Sequence, residues 1–82
     1  MNHIGMLSDL GEGQKAIVSA VDYPEESMRR RLQDLGLIKG TEVICIRKSP
    51  LGDPVAYQIR GAIIALRVED SSCIRIMYSE EM

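Results

Sequence analysis

From Lys15 to Tyr78 the apolar residues fall in short runs cut apart by glycine, proline and charged positions. Lys15 to Val21 alternates, with Ala16, Val18 and Ala20 on one face and Ile17, Ser19 and Val21 on the other. This predicts a first strand, although neither face is plainly polar and the pattern leaves open which one turns inward. The period then changes. Glu25 to Leu35 carries Met28, Leu32 and Leu35 at the i, i+4, i+7 spacing of an amphipathic helix. Glu25 and Glu26 stand in its first turn, where the positive end of the helix dipole favours carboxylates, and Gly36 follows its last turn, where a left-handed residue closes a helix. Arg29, Arg30 and Arg31 flank the apolar stripe and project outward, Arg30 at i+4 from Glu26.

Lys39-Gly40 turns the chain into a second strand, Thr41 to Arg47, in which Val43 and Cys45 share one face and Ile44 and Ile46 the other. Pro50 to Pro54 is predicted as a hairpin loop: its prolines cannot donate ladder hydrogen bonds, Gly52 can take positive φ, and the Asp53 carboxylate can cap the turn. A third strand follows, with Val55, Tyr57 and Ile59 alternating against Ala56, Gln58 and Arg60. After Gly61 comes a fourth, in which Ile64 and Leu66 alternate with Ile63, Ala65 and Arg67. Val68 to Ser72 is read as one helical turn before a last strand, Cys73 to Tyr78, with Ile74 and Ile76 inward and Cys73 and Arg75 outward.

The N-terminal residues, His3 among them, are expected to be mobile, Ser8 to Gln14 to form a turn-rich leader whose Leu7 and Leu10 cover an edge of the core, and Ser79 to Met82 to be a frayed acidic tail. The whole is read as one domain over residues 1–82, mainly β with one helix between strands one and two. About five short strands with tight turns suggest a small β-barrel, whose closure would remove exposed strand edges.

Composition narrows the function. A chain of 82 residues buries only about 60% of the surface it exposes when unfolded, so no deep substrate cavity is expected. No apolar run is long enough for a membrane helix, and the N-terminus shows no secretory signal. Two cysteines, Cys45 and Cys73, far apart and without metal-ligand spacing, indicate a reducing compartment rather than a disulfide framework. The net charge of −2 disfavours a general nucleic-acid coat.

There is no phosphate-binding glycine loop and no nucleophile-base set, and His3 is poorly placed for catalysis. No cofactor, no metal site and no enzymatic activity are expected. The shortage of aromatic residues argues against base stacking and against proline-rich peptides. Docking to a protein remains, through the arginine-bearing helix, the PLGDP loop, and Ile44, Ile46 and Ile63, which alternation leaves open between core and surface. The alternative is a nucleic-acid or repressor-associated module using the arginine helix.

Three segments, RRRLQDLGLIKGTEV at Arg29 to Val43, SPLGDPVAYQIRG at Ser49 to Gly61 and ALR at Ala65 to Arg67, resemble the FeoA family of bacterial ferrous iron transport accessory proteins. The resemblance runs from about Leu7 to Ile76. It implies an SH3-like barrel and a cytoplasmic, non-enzymatic adaptor of ferrous iron uptake. It also implies a partner, the membrane Fe²⁺ permease FeoB with its GTP-binding domain, so that the chain meets the membrane only through that partner. Arg29, Arg30, Leu51, Asp53 and Arg67 are the expected contact or framework residues. Ile44 and Ile63 depart from the more polar residues usual in the family and are assigned to a partner surface or a weak self-association face.

Overall fold

The computed structural model describes residues 2–79. A single antiparallel sheet of six strands organises the chain: β1 (Asn2–Met6), β2 (Lys15–Val21), β3 (Glu42–Lys48), β4 (Val55–Ile59), β5 (Ala62–Leu66) and β6 (Ile74–Ser79), in the order β1-β6-β2-β3-β4-β5. A 3₁₀ turn (Leu7–Asp9) follows β1, α1 (Glu26–Asp34) links β2 to β3, and α2 (Val68–Ser71) links β5 to β6. The fold is therefore mainly β with the expected helix between the strands predicted as one and two.

Alternation sorts the residues as a half-buried sheet requires. Ala16 and Val18, Val43 and Cys45, Val55, Tyr57 and Ile59, and Ile74 and Ile76 all point into one core with Leu32 of α1. The question left open for β2 is thus resolved, with Ile17 on the outside. Cys45 packs as a small hydrophobe.

Three expectations are corrected. The N-terminus is a strand, with β1 pairing along its whole length with β6 from Asn2↔Ser79 to Met6↔Arg75, and the His3 ring stacks on Tyr78 with centroids 5.3 Å apart. Pairing between opposite ends of a chain leaves no local pattern to read. The barrel is not closed by hydrogen bonds, because β1 and β5 are the two edges of the sheet. Leu7 and Leu10, far from merely covering an edge, lie wholly inside the core. The acidic tail extends, after Ser79, outside the described residues.

Leu35 likewise leaves the apolar stripe and is exposed. The cause is the helix end: Gly36 takes φ +108°, its N–H donates to Gln33 O at 2.9 Å, and the Leu37 N–H donates to Leu32 O at 3.1 Å. This Schellman closure reverses the chain and delivers Leu37, not Leu35, to the core. Bulges interrupt the β2–β6 ladder between Val18 and Ala20 and the β3–β4 ladder between Cys45 and Arg47, leaving Ile46 unpaired and exposed.

Candidate protein-docking surface

The hairpin joining β3 to β4 is held by its own backbone. The Gly52 N–H donates to Ser49 O at 2.7 Å, and the Ser49 N–H donates to Pro54 O at 3.3 Å. Asp53 was expected to cap this turn; instead its Oδ1 accepts the N–H of Val68 at 3.0 Å, capping α2 and tying the loop to it. A helix start needs acceptors for its free N–H groups, and the N-cap residue Arg67 supplies no side-chain bond there. Leu51 stands at the loop's tip with 95% of its surface exposed. The tie brings Leu51, Asp53 and Arg67 to one end of the molecule.

Beside the hairpin lies an open groove of about 720 Å³, whose lining includes Arg47, Lys48, Pro50, Pro54, Ala56 and Ala65. Glu12 closes one wall: its carboxylate accepts the Lys48 N–H at 2.7 Å, while the Gly13 N–H donates to Cys45 O and the Cys45 N–H to Gln14 O. These bonds prolong the pairing of β2 with β3 through the leader.

The remaining predicted site residues lie elsewhere. Arg29 is partly buried and donates from its guanidinium to Tyr23 O at 3.1 Å, stapling the segment that enters α1. Arg30 pairs with Glu26 at 3.4 Å, both side chains largely exposed. Ile44 and Ile63 sit on the outer sheet face, Ile44 opposite Gln58 and Gln58 opposite Ile63. Sequence reading missed Ile4, Ile17 and Met77, which are exposed on that same face. The two apolar faces of the first strand were the available signal.

Burial pushes the Cys45 thiol and the Tyr57 phenol above their ordinary values, favouring the neutral forms. The Tyr57 hydroxyl donates to Leu7 O at 3.4 Å, so these groups serve the core. Among the described residues no group of three or more His, Cys, Asp or Glu side chains is placed to hold a metal ion, and no helix is long and apolar enough to cross a membrane.

The sequence profile of the FeoA domain matches residues 6–77. The chain belongs to the FeoA family. It is 31% identical over 70 residues to an Fe(2+) transport protein A/Fe(2+) transporter FeoB fusion protein of Porphyromonas gingivalis, covering 85% of this chain and 8% of that one. This FeoA-family chain thus spans a small fraction of that relative's length. The FeoA-like protein of Clostridium acetobutylicum is 30% identical, superposing with a TM-score of 0.87 over 100% of this chain and 94% of that one. The zinc-complexed FeoA of Stenotrophomonas maltophilia, described as a prokaryotic SH3 domain protein, is 31% identical with a TM-score of 0.77 over 87% of each chain. The family links the chain to bacterial ferrous iron transport, and the SH3-like fold inferred from the resemblance holds.

Proposed function

We propose that this chain, acting as a single domain, is a non-enzymatic cytoplasmic adaptor of ferrous iron uptake that docks on a FeoB-type permease bearing a GTP-binding domain. The observation that carries the reading is Leu51, a large apolar side chain almost fully exposed on a loop that Asp53 and two backbone bonds hold in place. A pre-ordered apolar anchor loses little conformational entropy on burial in a partner's pocket. Arg67 beside it supplies a charge at the rim, while Arg29 and Arg30 on α1 are framework, Arg29 through its bond to Tyr23 O and Arg30 through its pair with Glu26. Ile44 and Ile63 lie outside this docking end. The P. gingivalis relative, which joins an FeoA-type region to FeoB in one polypeptide, supports the choice of partner.

The chain reaches the membrane only through the permease and needs no cofactor or nucleic acid. Co-purification tests this reading. Tagged protein should retain the permease from solubilised membranes, Leu51→Glu should lose it while remaining folded, and deletion should lower Fe²⁺ uptake. GTP turnover measured with and without the protein then separates stimulation from assembly. Failure to retain the permease, with uptake intact after deletion, overturns the proposal.

A further inference from the structure

The outer face of the sheet carries apolar side chains across both halves. Register places Ile4 opposite Met77 and Met77 opposite Ile17, while Lys15 lies opposite Ile44 and Ile44 opposite Gln58, which faces Ile63. Exposure is 74% at Ile4, 42% at Ile17, 41% at Met77 and 60% at Ile63. At the centre, on β2 and β3, is a square of four side chains: Ile17 faces Glu42 and Lys15 faces Ile44. The two isoleucines therefore occupy one diagonal and the two opposite charges the other, with diagonal neighbours roughly 7–8 Å apart.

We propose that this face docks a second copy of the same chain, face to face, about a two-fold axis running along the Ile17–Ile44 diagonal. The pattern selects that axis. Rotation about it lays Ile17 on Ile17 and Ile44 on Ile44, and sets Lys15 of each copy against Glu42 of the other. An axis along the Lys15–Glu42 diagonal would set Lys15 on Lys15 and Glu42 on Glu42, an axis along the strands would lay Ile17 on Glu42 and Ile44 on Lys15, and one across them would lay Ile17 on Lys15 and Ile44 on Glu42. The selected axis crosses the two sheets steeply, a packing that sheet faces adopt, and it is isologous, so the contact closes at two copies. Met77 adjoins Ile17 and widens the apolar centre. The surface is separate from the Leu51 end, so the inference stands independently of permease docking.

The test is a concentration series from roughly 20 µM to about 1 mM, followed by sedimentation velocity and amide chemical shifts. The wild type should self-associate, with shifts concentrated at residues 15–17 and 42–44. Ile17→Glu should stay monomeric while remaining folded by circular dichroism, at a somewhat lower thermal midpoint because the new carboxylate then faces Glu42 across the ladder. Lys15→Glu and Glu42→Lys should each weaken association about 10-fold, since reversal at either position creates two like-charge contacts by symmetry. Lys15→Glu/Glu42→Lys should restore the wild-type strength, and an equimolar mixture of the two single variants should form mixed dimers. A wild type that stays monomeric throughout overturns the proposal, as does association that ignores Ile17→Glu or charge reversals that neither weaken binding alone nor restore it together.

Discussion

The carboxylate of Asp53 accepts the backbone N–H of Val68 at 3.0 Å, joining the tip of the β3–β4 hairpin to the first residue of α2. With Arg67 at the N-cap offering no side-chain acceptor, the bond replaces a local cap by a long-range one. Asp53→Ala should therefore cost about 1 kcal/mol in chemical denaturation, with Asp53→Asn retaining most of it. Hydrogen exchange at the Val68 amide should speed up in the alanine variant alone.

Gly36 and Gly40 both have positive φ, +108° and +92°, but only Gly36 is crowded. A Cβ at Gly36 would stand 2.9 Å from Arg60 Cδ and 3.1 Å from Ile59 Cγ2, while at Gly40 nothing lies within 4 Å. Gly40→Ala should cost about 1 kcal/mol for its backbone alone. Gly36→Ala should cost distinctly more, because buried Ile59 on β4 cannot give way; urea midpoints of the two variants check the ordering.

Thiol reactivity should separate the cysteines. Cys45 is fully buried and its pKa is raised by desolvation, whereas Cys73 is half-buried, its Sγ 3.6 Å from Glu69 O. Native protein should label rapidly at Cys73 only, and Cys45 should label at a rate set by unfolding. Mass spectrometry over time reads both.

Alkaline pH should destabilise the fold. Burial raises Cys45 and Tyr57 above their ordinary values of 9.0 and 10.0, so the folded state holds both protons to higher pH than the unfolded chain does. Their contribution is complete below about pH 9 and is lost as pH rises through the unfolded values toward the folded ones. Urea midpoints should fall over that range. Tyr57→Phe should lessen the fall, and at neutral pH should cost about 1 kcal/mol for the lost bond to Leu7 O.

Much of this protein was legible in its sequence. Period-2 runs placed β2 to β6 within a residue or two, the Met28–Leu32 spacing and Gly36 bounded α1, and the Glu26–Arg30 pair forms as its spacing predicts. These signals are local: each depends on which side chains a strand or helix turn sets on one face. Leu51 entered only among the residues named with the family resemblance, and its exposure at the loop tip is a finding of the structure.

Long-range pairing decided the rest. β1 exists because β6 offers it an edge, Asp53 caps a helix distant in sequence, and the bulge at Ile46 shifts the outward set after Cys45. Above all, the Ile17, Lys15, Ile44 and Glu42 square requires the β2–β3 register. Alternation determined that each of these residues faces outward or inward with its neighbours; only strand pairing determined which of them stand side by side, because a ladder joins residues that no local period relates.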